Sequence, residues 1–180
     1  MNRCKWCNLN NLKYVDYHDN EWCKLNINDE YLFEMLLLES FQAGLSWECV
    51  LNKRDNFRIA FDNFDVEKIC NYGEDKIQEL LNNEKIIRNK LKINAAVINS
   101  KIFKSIQNEY GTFHNYLKKF TNDKTIYEIG KVTNELSDAI SKDLQKRGMK
   151  FVGSTIIYSY LQAIGIIYSH DKDCFLYKAK

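Results

Sequence analysis

Residues 29–43 read Asp29-Glu30-Tyr31-Leu32-Phe33-Glu34-Met35-Leu36-Leu37-Leu38-Glu39-Ser40-Phe41-Gln42-Ala43. Asn28 can cap a helix here, and Asp29 and Glu30 in its first turn suit the positive helix end. Gly44 supplies the stop. From Tyr31 to Gln42 the stretch is apolar nearly all round, and a helix without a continuous polar face is a buried one.

Outward from this segment the pattern stays helical. Ser46 can cap a helix from Trp47 to about Phe61, and Asp65 opens a short one ending near Tyr72-Gly73. Glu74 to Asn82 follows, with Ile77, Leu80 and Leu81 inward. A long helix is expected over roughly Ile87 to Asn108, where Leu91, Ala95, Ile98, Ile102 and Ile106 recur at helical spacing. Further helices are expected over Thr112–Phe120, Asn134–Arg147 (Leu136, Ile140 and Leu144 on one face, Gly148 as stop) and Gly153–Ser169. Period-2 alternation is scarce, so the expected class is all-α. Residues 1–27 have no clear period and read as irregular structure that needs another support. With 180 residues and no repeat or linker-like stretch, one domain in two helical lobes is expected.

An apolar fraction of 45% with 13% aromatics excludes a disordered chain. The richest apolar stretch, Phe151 to Tyr168, is broken by Gly, Ser, Thr and Gln, so no membrane span or membrane partner is expected. A net charge of +2 excludes a strongly basic DNA-coating protein but leaves a locally basic face open. Abundant Asn and the absence of Pro read as AT-rich coding sequence. The N-terminus lacks an apolar core of a secretory signal, so the six cysteines are expected in a reducing cytosol without disulfides. Cys49 and Cys70 fit buried small hydrophobes; Cys4, Cys7 and Cys174 lie in polar surroundings near the termini.

Within the buried helix, Glu39 continues the row Leu32, Met35, Leu36, Glu39, Ala43, with Gln42 on the same side. A carboxylate there costs several kcal/mol unless paired. Two readings are open: a Glu satisfied by Gln42, a backbone amide or a distant Lys, or a pocket carboxylate held dry for a polar ligand. Trp47, one turn beyond the helix, is either core or the wall of such a pocket.

Cys4 and Cys7 have C-x2-C spacing, His18 lies within Tyr17-His18-Asp19-Asn20-Glu21-Trp22, and His170 and Cys174 are four apart, one turn if the last helix extends that far. A Cys2His2 set suits tetrahedral zinc, and a metal tying the two ends would support the irregular first segment. Five candidates compete for four places, Cys4 against Cys7. Nothing around His114 suggests a ligand.

Residues 74–108 read as two helices joined by Asn82-Asn83-Glu84-Lys85-Ile86, with Lys85, Arg88, Lys90 and Lys92 crowding the junction. A helix N-terminus with nearby cations can hold a phosphate; the alternative is an ordinary αα-hairpin with a solvated basic face. Lys146, Arg147 and Lys150 form a second cluster, either another phosphate contact or cations complementing a helix end.

These segments together resemble the DNA-3-methyladenine glycosylase I family of the helix-hairpin-helix DNA glycosylase superfamily. The resemblance rests on Arg3-Cys4 with Trp6, Tyr17 to Trp22, Leu32-Phe33-Glu34-Met35, Leu38-Glu39, and Gln42-Ala43-Gly44-Leu45-Ser46-Trp47. It continues through Ile86-Ile87-Arg88-Asn89, Lys92-Ile93, Lys146-Arg147-Gly148, Lys150-Phe151-Val152-Gly153, Tyr158-Ser159, Gln162-Ala163, Gly165 and His170, and so spans nearly the whole chain. It implies a helix-hairpin-helix fold with the hairpin at about 74–108, and structural zinc on Cys4, His18, His170 and Cys174, clamping 1–27 to 166–180. It implies a base pocket of Tyr17, Trp22, Glu39 and Trp47 with Tyr14 and Ser159, in which Tyr17 and Trp47 sandwich a flipped base. Lys85, Arg88, Lys90 and Lys92 are expected on the DNA backbone. The implied activity is monofunctional hydrolysis of 3-methyladenine from alkylated double-stranded DNA, without a catalytic Asp or Lys. The resemblance assigns Glu39 to base recognition and makes it the catalytic candidate.

Three positions depart from the family pattern: Cys23 where Gly is usual, Phe41 where a polar residue is expected, and Lys85 where small residues let backbone approach phosphate. Cys23, beside Trp22, is expected to reshape one pocket wall. The competing reading from another class is a zinc-stabilised DNA-binding module without chemistry. A zinc hydrolase is weaker, because two Cys and two His close the coordination. Nothing demands a dimer, so a monomer in the cytoplasm, associated with the nucleoid through its substrate, is expected.

Overall fold

The computed structural model describes residues 1–179; position 180, at the end of the expected 166–180 clamp segment, lies outside the described residues. The elements in order are α1 (Leu12–Asn20), α2 (Asp29–Gln42), α3 (Trp47–Asn52), α4 (Arg54–Ala60), α5 (Val66–Cys70), α6 (Glu74–Asn82), α7 (Lys90–Tyr110), α8 (Phe113–Thr121), β1 (Ile126–Tyr127), α9 (Glu135–Lys146), α10 (Ser154–Ala163) and β2 (Ile167–Tyr168). The all-α expectation needs one correction. β1 and β2 form a two-stranded parallel pair, Ile126 opposite Ile167 and Tyr127 opposite Tyr168. Two residues are too few for alternation to register.

Helix α2 is the centre. Leu32, Phe33, Met35, Leu36, Leu37, Leu38 and Phe41 are all buried, and α2 packs against α10, α7, α3 and α8. Its start is capped by Asn28, whose side chain accepts from the Glu30 amide at 2.8 Å. Phe41 packs on Phe57 and Phe61, so the apolar departure there serves the core.

Several expectations shift. Residues 1–27 contain α1, which the periodicity missed because its nine residues bury only Tyr14, Tyr17 and His18. The helix expected over Trp47–Phe61 breaks at Lys53 into α3 and α4. The buried Arg54 that opens α4 bonds Glu34 through Nε at 2.7 Å and Glu21 through Nη1 at 2.7 Å. Along α7 the buried positions are Lys92, Ile93, Ala95, Ala96, Val97, Asn99, Ser100, Phe103 and Ile106, while Leu91 is 71% and Ile98 40% exposed. The buried seam is rich in Ala, Asn and Ser, and a count of large apolar residues cannot find it. Asn99 explains its own burial: its side chain bonds both the N–H and the C=O of Lys150, at 2.8 and 2.9 Å. Cys49 and Cys70 are half-buried rather than core.

The last helix stops at Ala163, short of the expected Ser169, so His170 and Cys174 do not share a helical turn. The stop is Gly165, at φ +79, where any Cβ would fall well inside van der Waals contact of the Lys24 and Leu25 backbone. The 23–26 segment crosses there, with the Cys23 N–H donating to Gln162 O and the Asn26 N–H to Ile164 O, both at 3.0 Å. Cys23 itself adopts φ +61, which accounts for the family's Gly at this place.

Gly165→Ala is therefore expected to destabilise the protein by more than about 2 kcal/mol in urea denaturation. Gly153→Ala, where nothing approaches the added carbon, should cost less than about 1 kcal/mol; equal losses at both positions would refute the close-approach argument.

Candidate active site

Helix α1 presents two chemistries from one short turn. Asn11 caps it by accepting from the Lys13 and Tyr14 amides. Tyr14 and Tyr17, three apart, face a cavity, while His18 points to a cluster at the chain termini. The cavity has a volume of about 300 Å³ and sits among Tyr14, Tyr17, Trp22, Glu39, Trp47 and Ser159, so every residue expected in the base pocket is at its wall. That size is at the small end for ligand sites.

Glu39 lies 3% exposed on α2. Among the described residues no side chain pairs with it. Gln42, one candidate to satisfy it, instead donates through Nε2 to Leu45 O at 3.0 Å. Burial alone pushes the Glu39 carboxyl up to about 8. Burial, and then the Glu39 charge, holds the Tyr17 phenol far above its usual range; burial pushes Tyr14 up to about 12. Both phenols thus stay protonated and able to donate beside the carboxylate.

The expected Tyr17–Trp47 sandwich needs correction. Their ring centroids are 5.2 Å apart at 50° to each other, whereas an inserted ring needs two gaps of about 3.5 Å each. The two rings form adjoining walls of the cavity rather than opposed faces. Trp22 meets Trp6 edge-on at 4.7 Å, and Trp6 lines the cavity too. Gln42, Ile129, Gly130, Lys131, Gln162, Ser169 and Asp171 also line it, and none was singled out as a pocket residue from the sequence. Trp6 had a usable signal, since it lies two residues from Cys4; the 129–131 loop had none. Asp171 is engaged by the Lys5 amide, which donates to its Oδ2 at 2.9 Å. Cys23 does not itself line the cavity; it stands behind the wall, where its sulfur accepts from the amide of the lining residue Ser169 at 3.3 Å.

Cys4, His18, His170 and Cys174 converge, with their ligand atoms within 4.8 Å of one another and all four buried. The Sγ···N separations are 3.4 Å (Cys4–His170), 3.5 Å (Cys174–His170) and 3.6 Å (Cys174–His18). Metal–sulfur bonds of about 2.3 Å and metal–nitrogen bonds of about 2.0 Å give a tetrahedral edge of about 3.5 Å, so the donor set fits such an ion. Outer partners are in place. His18 Nδ1 meets Asp19 at 2.7 Å, Asp19 takes a two-point contact from Arg3, and the Asp171 and Leu176 amides donate to the Cys4 and Cys174 sulfurs. Cys7 is outside the cluster, donating to Tyr14 O. Trp22 packs edge-on against His170 at 4.7 Å, which joins the cluster to the cavity.

At the α6–α7 junction Lys85, Arg88 and Lys90 are exposed. Lys92 is not. It is 7% exposed and its ammonium donates to Phe41 O at 2.8 Å and Ala43 O at 2.5 Å, which removes it from the expected phosphate contacts. Of the second basic cluster, Arg147 is committed to Glu109 and Asp143 at 2.6 and 2.8 Å.

A family model described as methyladenine glycosylase matches residues 6–177. The chain is 40% identical to DNA-3-methyladenine glycosylase 1 of Escherichia coli (strain K12), over 98% of this chain and 97% of that protein. It is 37% identical to DNA-3-methyladenine glycosylase of Haemophilus influenzae, over 96% of each. A crystal structure of 3-methyladenine DNA glycosylase I superposes with a TM-score of 0.94 at 37% identity, covering 98% of this chain and 100% of that one. A variant of 3-methyladenine DNA glycosylase I in complex with 3-methyladenine gives 0.92 at 30% identity, covering 97% of each chain.

The Glu39 geometry has a stability consequence. The folded pKa lies above the unfolded one, so the native state holds a proton over the interval from 4.5 to about 8. The stability this confers is complete below pH 4.5 and lost as pH rises through 8. Glu39→Gln, which cannot ionise, is expected to match the wild type in urea denaturation near pH 4 and to exceed it by a few kcal/mol (order of magnitude) near pH 9. A pH-independent difference would mean that the carboxylate has a partner.

Proposed function

The chain belongs to the methyladenine glycosylase family, and from that membership we propose that it excises 3-methyladenine from alkylated double-stranded DNA. It hydrolyses the N-glycosyl bond and leaves an abasic site, the first step of base excision repair. One observation carries the assignment: an unpaired, buried Glu39 facing an aromatic cavity. Methylation at N3 puts a positive charge on the base. A cation in the cavity restores the electrostatic compensation that burial took from Glu39, a charge-assisted contact of about twice ordinary strength. The face of Trp47 or Tyr17 adds about 0.5–2 kcal/mol through its ring quadrupole. Uncharged adenine gains neither.

The nucleotide must leave the stack to reach this depth, which costs a few kcal/mol and less at a damaged pair. Breaking the C1′–N bond returns its electron pair to the ring, which leaves neutral, while water adds to the sugar carbon and gives a proton to solvent. The lesion's charge activates the leaving group, so the pocket's main work is recognition and orientation. Among the described residues the only lysine in the lining is Lys131, held by Glu128 at 2.8 Å, which favours direct hydrolysis over a lysine adduct. A DNA-binding module without chemistry would have no use for a dry carboxylate at an open cavity.

The α6–α7 pair fits a helix-hairpin-helix element, with Lys85, Arg88 and Lys90 set for backbone phosphates. Cys4, His18, His170 and Cys174 would hold a zinc ion, closed to substrate, whose contribution is to fasten the two ends. Among the described residues no helix is long and apolar enough to cross a membrane. The expected setting is a monomer working on cytoplasmic DNA.

On methylated duplex DNA the purified protein is expected to release free 3-methyladenine, detected by chromatography. Glu39→Gln should lower kcat/KM by about 10- to 100-fold and Trp47→Ala by about 10-fold or more, both with native circular dichroism. Folded variants as fast as the wild type would remove these residues from the mechanism. For the metal, elemental analysis should find about one zinc per chain, and Cys174→Ser should lose it together with several degrees of melting temperature. Metal-free protein of full stability would overturn the clamp.

A further inference from the structure

The last carbonyls of a helix have no intrahelical donor and carry the negative end of its dipole. In α2 these carbonyls lie within one turn of Glu39, and the last turn holds no basic residue of its own. The donor comes from about fifty positions further along the chain. Lys92 Nζ lies 2.8 Å from Phe41 O and 2.5 Å from Ala43 O, and 5.9 Å from the Phe151 ring centroid. Among the described residues no carboxylate is paired with it.

The position of Lys92 in its own helix is unfavourable. It stands in the first turn of α7, whose amides are directed at Asn89; the Lys92 N–H itself donates to the Asn89 side chain at 3.1 Å. A cation there faces the positive end of α7. The carbonyls its ammonium holds both belong to the C-terminal end of α2, at Phe41 and Ala43. Beyond Ala43 the chain turns through Gly44 at φ +76, with the Leu45 N–H on Gln42 O at 2.7 Å, and Ser46 then caps α3 to place Trp47. Fixing Phe41 and Ala43 thus fixes the turn that sets Trp47 relative to Glu39.

We propose that Lys92 is a positioning residue of the base pocket: its buried ammonium fastens the Phe41 and Ala43 carbonyls and so holds the 43–47 turn that joins the carboxylate to its aromatic wall. It also ties the pocket to α7 and the phosphate-facing junction before it. The inference rests on the excision reading. It differs from a phosphate contact in its consequences, because a residue that touches no DNA leaves the salt dependence of binding alone.

The test uses Lys92→Met and Lys92→Arg in the full chain, with three readouts: base release from methylated duplex, the salt dependence of duplex affinity, and amide hydrogen exchange over residues 43–47. Lys92→Met is expected to lower kcat by about 10- to 100-fold, the range of a misplaced catalytic wall. The salt slope should stay unchanged, and the 43–47 amides should exchange faster. Lys92→Arg keeps a charged donor and is expected to fall between the two in both kcat and exchange. If Lys92→Met does not fold, the Arg variant decides alone. A drop in kcat without faster exchange, or unchanged kcat in a folded variant, overturns the proposal. A salt slope reduced by about one with unchanged exchange would return Lys92 to the phosphate contacts. Failure of the wild type to release base would sink the excision reading instead, and the exchange comparison would still report on the clamp.

Discussion

Glu39 sits one turn from the end of a helix that is buried without a break from Met35 to Phe41, and its carboxyl has lost water without gaining a partner. Stability alone does not select this arrangement, since a Leu or Met at that place would extend the apolar row of α2. The surroundings are built to keep the acid dry yet reachable. Protonated phenols of Tyr14 and Tyr17 stand beside it, Gln42 is turned away onto Leu45, and the cavity opens in front. A group held in this state waits for a ligand that brings charge or donors of its own.

The walls around the carboxylate come from parts of the chain far apart in sequence, and the terminal cluster brings them together. Cys4 and His170 belong to opposite ends, and their side chains meet at 3.4 Å. The segment carrying Cys4 also carries Trp6; α1 carries Tyr14 and Tyr17 along with His18; and Ser169 and Asp171 flank His170. Three of the four ligands thus stand within two positions of a cavity residue, and Cys174 within three of Asp171. The same residues join the helical core, since Cys4, Tyr14, Tyr17, Trp22 and Cys174 pack in one continuous apolar cluster with the side chains of α2, α7, α9 and α10.

What the sequence revealed depends on the range of the forces involved. Caps and stops are local, so α2, α6, α8 and α9 were legible to within a residue or two at each end. Glu39 was legible as an anomaly because a charge in an apolar row is visible without coordinates. The seam of α7 was not, because Ala96, Asn99 and Ser100 are buried through what approaches them, and that is a property of other helices. β1 was invisible because a two-residue strand exists only through its partner. Lys92 is the instructive miss. A lysine at a helix start beside other cations reads as a phosphate contact, and only the chain fold puts the end of α2 within its reach. The pocket residues came mainly from the family resemblance; spacing alone left Trp47 open between core and wall.

Charge placement around the cavity also bears on selectivity. The lysine in the cavity lining and the lysine under the end of α2 are both committed elsewhere: Lys131 to Glu128, Lys92 to two backbone carbonyls. Neither contact leaves a cation free to pair with Glu39. Cavity and carboxylate therefore present an uncompensated site to whatever enters. A neutral purine must either tolerate an ionised group in a dry site or meet a protonated one that offers an extra donor; a cationic purine incurs neither penalty. Discrimination of this kind does not require the pocket to sense the methyl group sterically, only its electrical consequence.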